Sequence, residues 1–142
     1  MSDNTDRVRQ SLRALERGDV DAIVAQAHPD IEFVNPPYAL EPGIRHGHEG
    51  FRAGLRNMLD AFEDLQFDSL RVVDLDDRVV ALGSWTGRGR ESQYRFDPQP
   101  FAFFVTLRDK LIIRYEWFAN HEEALAAAGV RDDSLGPPNP PA

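Results

Sequence analysis

Two charged side chains near the end of the chain, Arg114 and Glu116, have a spacing that could support acid–base chemistry. Residues two apart on a strand lie on the same face, so the guanidinium could hold the carboxylate ionised and in one orientation. If the pair lies in a pocket, Glu116 is the predicted catalytic acid or base, and Arg114 contacts the substrate. If it lies on a solvent-facing side, it is a surface ion pair of little energetic weight. The apolar run Ile113, Tyr115 and Trp117 on the other face of this strand favours the surface alternative by period alone.

A second candidate is Asn35, which ends the stretch HPDIEFVN directly before Pro36 and Pro37. Its amide has no useful basicity near neutral pH, but it can donate a hydrogen bond to a ligand carbonyl or a developing enolate. The alternative is that Asn35 only caps the turn into the prolines. Asn120 presents a similar choice, and there Glu123, three residues later, favours the N-cap of a short helix.

Neither a metal site nor a cofactor site is expected. His46 and His48 lie two residues apart, but no further ligands are identified beside them. The chain has no cysteine, which excludes thiolate ligands. The glycines of GRGR are not followed by the Lys-Ser/Thr pair of a phosphate-binding loop. His48 is instead predicted near the first turn of a helix, facing the mouth of a pocket.

Aromatic residues supply the remaining candidates. Because a strand alternates, its rings of one parity can line a cavity while the others face helices or a partner. Trp and Tyr suit a pocket with a wet edge, since each has a polar group. With the polar candidates above, the predicted substrate-binding residues are Asn35, Tyr38, His48, Trp85, Tyr94, Phe103, Arg114 and Phe118.

Apolar residues at helical spacing predict three helices in the first half of the chain. They cover residues 5–17, residues 20–27 with Asp19 as N-cap, and residues 47–62 with an apolar stripe that starts at Phe51. Between the second and third helices lie the strand that ends at Asn35 and a loop rich in proline and glycine.

After Leu65 the period of the apolar residues changes to two, which predicts consecutive antiparallel strands. The predicted strands cover residues 67–75, 78–86, 93–107 and 111–118, the third with an interruption at Asp97-Pro98. A short helix over residues 121–128 follows and stops at Gly129. Helices followed by antiparallel strands indicate the α+β class, with a space between helices and sheet as the natural ligand site.

Length and composition limit the classes of function. The chain has 142 residues, of which 42% are hydrophobic, enough for one core. Its net charge of −8 argues against nucleic-acid binding. The absence of a long apolar run or an N-terminal signal predicts a cytoplasmic protein without a membrane partner. We predict one domain over residues 1–130 and a disordered Pro-rich tail over residues 131–142.

Four phrases in a fixed order resemble the nuclear-transport-factor-two-like superfamily, and within it the SnoaL-like group. They are ALERGDVDAIVAQAHPDIEF, HGHEGFRAGL, FVTLRDKLIIRY and NHEEALAAAG. The resemblance covers roughly residues 7–130. It implies a cystatin-like roll, in which a cone-shaped, curved, mixed or antiparallel sheet wraps around three N-terminal helices, followed by a short C-terminal helix. It also implies a pocket for a small apolar molecule, no cofactor or metal, and a homodimer formed through the sheet.

The same resemblance gives roles to single positions. Ketosteroid isomerases place a proton-shuttling aspartate where this chain has Asn35, and polyketide cyclases place an acid near Asn120. Limonene-epoxide hydrolases place an aspartate at Glu116, but the other members of that triad are missing from SWTG, residues 84–87. Glu116 is therefore the one matching carboxylate and the predicted catalytic residue.

The predicted function is a small-molecule-binding pocket protein, with a possible isomerase or cyclase activity by proton transfer on an apolar, carbonyl-containing ligand. One alternative is a non-catalytic ligand-binding or accessory dimer. Another is an epoxide-hydrolase-like enzyme with an incomplete triad. Whether the protein is an enzyme at all stays open, since two positions that hold acids in related enzymes hold asparagine here.

Overall fold

A six-stranded sheet forms the frame of the protein in a computed structural model, which describes residues 3–39 and 41–131. The helices are α1 (Asp3–Glu16), α2 (Val20–Val24), α3 (Gly47–Ala61) and α4 (His121–Ala128). The strands are β1 (Ala27–Asn35), β2 (Gly43–His46), β3 (Phe62–Leu75), β4 (Arg78–Gly89), β5 (Gln99–Arg108) and β6 (Leu111–Phe118). Their order across the sheet is β2-β1-β6-β5-β4-β3.

The sheet is mixed because β1 runs parallel to β6, whereas the other neighbouring strands pair antiparallel. It is bent by irregularities in the longest strand, β3, whose register against β4 shifts twice. Asp64 and Ser69 lie at these shifts with positive φ angles of 52° and 55°. Bulges of this kind increase the local twist and bend a strand. The predicted α+β class, with a curved mixed sheet, N-terminal helices and a short C-terminal helix, is confirmed.

The two faces of the sheet have different partners. The helix side, defined by Phe33, Phe67, Phe101, Phe103 and Tyr115, packs against α1, α2 and α3 in the main core. Val80, Leu82, Ala102 and Phe104 point to the opposite side, the outer face, where they pack against Ala124, Leu125 and Ala128 of α4. Alternate residues of β5 and β6 therefore belong to different surfaces, which decides what each candidate side chain can contact.

One glycine allows α3 to approach the sheet closely. A Cβ atom at Gly54 would lie 2.7 Å from the ring of Phe33 on β1. That distance is shorter than a carbon–carbon contact allows, so a side chain here would push the ring away. Gly54 is thus the position that lets the Phe33 ring lie between α3 and Tyr115, with its centroid 6.1 Å from the Tyr115 ring.

Several element boundaries differ from those predicted. The short strand β2 lies inside the predicted loop. It was not predicted, because four residues between Pro42 and Gly47 are too few to show a period. The second helix ends at Val24, and Ala27 already belongs to β1. The fifth strand begins only at Gln99, after Pro98, which cannot donate a ladder hydrogen bond.

Both caps of the last helix agree with the sequence. The side chain of Asn120 accepts a hydrogen bond from the Glu123 backbone N–H at 2.9 Å, which satisfies one free donor of the first turn. Gly129 follows the helix in the left-handed conformation, with a φ of 73°. The predicted tail over residues 131–142 lies outside the described residues, apart from the exposed Arg131.

Candidate functional site

A row of aromatic rings lines the helix side of the sheet, and Tyr115 lies at its centre. Its ring centroid lies 4.9 Å from that of Phe103, 5.9 Å from that of Phe51 and 6.1 Å from that of Phe33. The row continues from Phe103 through Phe101 to Phe67 on β3. Such edge-to-face and tilted contacts hold the rings in fixed relative orientations.

The Tyr115 hydroxyl is the one titratable group among these rings. The residue is 5% exposed, and no described residue provides a hydrogen-bond partner for its hydroxyl. Burial away from water raises the pKa of Tyr115 above its ordinary value of 10.0. The hydroxyl therefore keeps its proton at neutral pH and can donate a hydrogen bond. The hydroxyl is not among the fully buried polar atoms that lack a partner, so it borders a space from which water or a ligand can supply one.

Asn35 lies at the end of β1 on the same side of the sheet. Its Oδ1 accepts a hydrogen bond from Trp117 Nε1 at 2.6 Å, and its Nδ2 donates to the Glu41 carbonyl at 3.0 Å. These contacts fix the orientation of the amide, since oxygen and nitrogen have different partners. Asn35 thus fastens the loop that follows β1 to the end of β6, and one N–H of its amide is left for another acceptor.

Tyr38, in the loop after β1, packs over the same end of the sheet and contacts the end of β6 and the start of α4. Its hydroxyl accepts a hydrogen bond from the Ala119 backbone N–H at 2.7 Å and lies 3.3 Å from Glu123 Oε2. Its ring stands edge-on to Trp117, with a centroid separation of 6.3 Å. Tyr38 is 50% exposed, so its outer surface is open to solvent while its hydroxyl ties the loop to α4.

Trp85 and Phe96 form a second aromatic group with Phe62 at the opposite end of the helix side. The Trp85 centroid lies 4.8 Å from that of Phe96 and 5.5 Å from that of Phe62. Tyr94, two residues before Phe96, is 66% exposed and does not join the group. Trp85 and Tyr94, both predicted to bind substrate, therefore lie in different environments.

The turn that carries Tyr94 is held by charges. Arg88 and Arg90 donate hydrogen bonds to the two carboxylate oxygens of Glu63 at 3.1 and 3.2 Å. The side chain of Gln93 donates to Glu63 at 3.1 Å. The hydrogen bonds from Gln93 and then Arg88 lower the pKa of Glu63, so the carboxylate stays charged under mildly acidic conditions. This network fixes the connection between β4 and β5.

Glu116 lies on the outer face, because it pairs in register with Phe104 of β5 and Val34 of β1. Its Oε1 accepts a hydrogen bond from Arg114 Nε at 2.9 Å, and Arg114 Nη1 donates to Glu32 at 2.7 Å. The hydrogen bond to Glu116 is the main cause that raises the pKa of Arg114. Glu116 and Arg114 can therefore contact a ligand only on the outer face, opposite the row of rings.

The remaining predicted residues are dispersed. Phe103 belongs to the row of rings, whereas Phe118 packs on the outer face beside α4. His48, on the first turn of α3, has its Nε2 2.9 Å from the Ala27 carbonyl, a contact that ties α3 to the start of β1. The structure thus brings Asn35, Trp85 and Phe103 to the helix side and places the charged pair elsewhere.

Tyr115 and Trp117 were missed as site residues, although the sequence contained a signal for them. Ile113, Tyr115 and Trp117 form the apolar parity of the last strand. The parity with the larger apolar side chains faces the core in a strand with one buried face.

No cluster of potential metal ligands occurs among the described residues, and none of their helices is long and apolar enough to cross a membrane.

Comparisons with known proteins agree with this architecture. A family model described as SnoaL-like domain matches residues 8–115. No curated protein matches the sequence. Among solved structures, an NTF2-like protein of unknown function from Burkholderia pseudomallei K96243 is 22% identical, with a TM-score of 0.73, and the match covers 89% of this chain and 97% of that one.

Two other solved structures are similar to the same extent. A proposed polyketide cyclase from Xanthomonas campestris pv. campestris is 23% identical, with a TM-score of 0.73 and coverage of 87% of this chain and 95% of that one. TerC, co-crystallised with polyporic acid, is 23% identical, with a TM-score of 0.71 and coverage of 91% and 98%. At this level of identity the similarity establishes the fold alone, because one fold serves many functions.

Proposed function

This chain belongs to the SnoaL-like domain family, and from that premise we propose that it binds a small, largely apolar molecule with a carbonyl group. The ligand would lie on the helix side of the sheet against the row of rings. The single observation that carries the proposal is the Tyr115 hydroxyl. Its ring is packed among Phe33, Phe51 and Phe103, yet the hydroxyl forms no hydrogen bond with a described residue and is not fully buried.

The chemistry of this surface favours an apolar ligand with one hydrogen-bond acceptor. Aromatic walls exclude water and favour flat or ringed molecules, while one buried donor selects for an oxygen at a fixed place. A protonated phenol can donate to a carbonyl but cannot accept a proton at neutral pH. The second N–H of the Asn35 side-chain amide could donate a hydrogen bond to another ligand oxygen at the edge of the same surface. TerC, crystallised with polyporic acid, is a relative of this fold for which a small bound molecule is known.

Binding is better supported than proton-transfer catalysis. An isomerase or cyclase needs a base beside the ligand, and the row of rings contains only the Tyr115 hydroxyl. Glu116 could act as a base only on a ligand bound at the outer face, where α4 already covers β4 and β5. The described geometry therefore supports the predicted non-catalytic, ligand-binding alternative before the enzymatic one.

Thermal unfolding with matched ligands tests this proposal. 9-Fluorenone and fluorene have the same three-ring frame, but only the ketone carries an acceptor. Because a ligand that binds the native state raises its stability, we expect fluorenone to raise the unfolding temperature more than fluorene at equal concentration. Steroid ketones, aromatic polyketides and terpenoid ketones extend the series. A complete lack of stabilisation by every ketone would contradict the proposal.

We also propose that two copies of the chain associate through the part of the outer face that α4 leaves open. This part carries Ile44 and Val34 beside Arg114, which lies between Glu32 and Glu116. Ile44 is 44% exposed. A two-fold axis would place the same apolar and charged groups against each other, so the interface would be self-complementary.

Replacing Ile44 by aspartate should shift the protein from dimer to monomer in native mass spectrometry. The new carboxylate would lie near Glu32 and Glu116, and like charges across a symmetric interface repel each other. Tyr94→Asp is the matched control, because Tyr94 is also large and exposed but lies on the turn between β4 and β5. A monomeric native protein, or equal dissociation in both variants, would exclude this interface.

A further inference from the structure

A surface groove lies along α1 and α2, away from the row of rings. It has a volume of about 470 Å³ and is referred to below as the α1 groove. Three of its eight lining residues are arginines, although the chain has a net charge of −8. The lining residues are Asp6, Arg9, Gln10, Arg13, Ala14, Arg17, Ala22 and Gln26.

The three arginines of the groove form one stripe, with Arg9 and Arg13 on α1 and Arg17 directly after its last residue. Arg9, Arg13 and Arg17 are spaced four residues apart, so each lies one turn above the last. Like charges at this spacing destabilise a helix unless other groups compensate them. Two have partners: Arg13 pairs with Glu16 at 2.8 Å, and Arg17 lies 4.0 Å from Asp19.

Arg9 differs from the other two because it is both buried and unpaired. The residue is 7% exposed, and its buried Nε has no hydrogen-bond partner among the described residues. No described carboxylate forms an ion pair with it, including Asp6, which lines the same groove. Removing a charge from water is costly unless a counter-charge and hydrogen bonds compensate it. Of the side-chain nitrogens of Arg9, only Nε is a fully buried atom without a partner, so the terminal nitrogens can reach the groove, where an anion could supply the missing counter-charge.

We propose that the α1 groove binds the carboxylate or phosphate group of a small anionic molecule, with Arg9 as its main contact. A guanidinium offers paired N–H donors that match two oxygens of such a group. Arg13 and Arg17 add positive potential along the same stripe, while Asp6 excludes an anion from its own end of the groove. Gln26, whose Oε1 accepts a hydrogen bond from Arg7 at 3.0 Å, also lines the groove. This inference is independent of the ligand proposed for the helix side.

Titration calorimetry with inorganic phosphate and with citrate, at an ionic strength held constant with sodium chloride, tests the α1 groove. We expect the wild-type protein to bind at least one of the two anions. Arg9→Met, which keeps an apolar stem of similar length, should bind it at least about tenfold more weakly. Arg56→Met removes an exposed arginine of α3 as a matched control and should leave binding unchanged. Preference for phosphate over citrate, or the reverse, identifies the type of anion.

The stability of the anion-free variants gives a second test. Arg9→Met should unfold at the same temperature as the wild-type protein or a higher one, because it removes a buried Nε without a partner and a charge without a described ion pair. Phosphate stabilises many proteins through exclusion from their surfaces, so only a larger stabilisation of the wild type than of Arg9→Met supports the groove. If Arg9→Met does not fold, Arg9→Lys keeps the charge without the paired donors and should bind more weakly. Equal anion binding by wild type and the Arg9 variants, or no binding by wild type, would overturn the inference.

Discussion

Replacing Tyr115 by phenylalanine should weaken the binding of 9-fluorenone by about fivefold to 150-fold while leaving the protein folded. The substitution removes only the hydroxyl and keeps the ring contacts with Phe33, Phe51 and Phe103. A ligand carbonyl that loses its buried donor costs roughly 1–3 kcal/mol, which corresponds to that range of dissociation constants. Fluorene, which has no carbonyl, should bind the variant and the wild-type protein alike. Calorimetric titration of both compounds provides the measurement.

The stability of the Tyr115→Phe variant separates a binding role from a structural one. Since the hydroxyl has no partner among the described residues, its removal should leave the free energy of unfolding unchanged or raise it. Tyr94→Phe, which removes a hydroxyl from a 66% exposed side chain, is the matched control for both measurements. A clearly less stable Tyr115→Phe protein would mean that the hydroxyl bonds to another part of the folded chain.

Replacing Phe51 by alanine should lower the free energy of unfolding by about 3–5 kcal/mol. Phe51 is 1% exposed, and its ring contacts Phe33 and Tyr115 with centroid separations of 5.4 and 5.9 Å. Removal of the ring would leave a cavity between α3 and the sheet, which close-packed neighbours fill only in part. Urea unfolding at one fixed protein concentration provides the measurement, because association would make the stability depend on concentration.

The matched control for Phe51→Ala is Tyr94→Ala. Tyr94 is 66% exposed, so the loss of its ring should change the free energy of unfolding by less than about 0.5 kcal/mol. Similar losses in the two variants would contradict the account of the helix side as the core of the fold. A loss at Phe51 accompanied by weaker fluorenone binding would connect the packing of α3 to the shape of the ligand surface.

Much of the fold could be predicted from local signals in the sequence. Asn120, Glu123 and Gly129 indicated both ends of α4, because caps depend on residues a few positions apart. Pro98 indicated the break before β5, because its missing N–H acts locally. The strand β2 was missed because four residues are too few to show an alternating period, and they pair with β1 across a loop rich in proline.

The site was harder to predict, since it depends on which face of the last strand meets the helices. The sequence correctly predicted how the side chains of β6 alternate: Arg114 and Glu116 share one face, and Tyr115 and Trp117 share the other. The family resemblance drew attention to the carboxylate, whereas the apolar parity indicated the buried face. Only the packing of α3 against Phe33 and Tyr115 places the second set on the helix side. The catalytic role of Glu116 stays a prediction, and it would require a ligand bound at the outer face.

A crystal structure of the protein with bound 9-fluorenone, or with the ketone of the series that stabilises it most, tests the central claim most directly. We expect the ligand between α3 and the sheet, with its carbonyl oxygen about 2.5–3.0 Å from the Tyr115 hydroxyl and its rings against Phe33 and Phe103. A ligand on the outer face beside Arg114 and Glu116, with the row of rings closed and the Tyr115 hydroxyl bonded to the protein itself, would contradict the account.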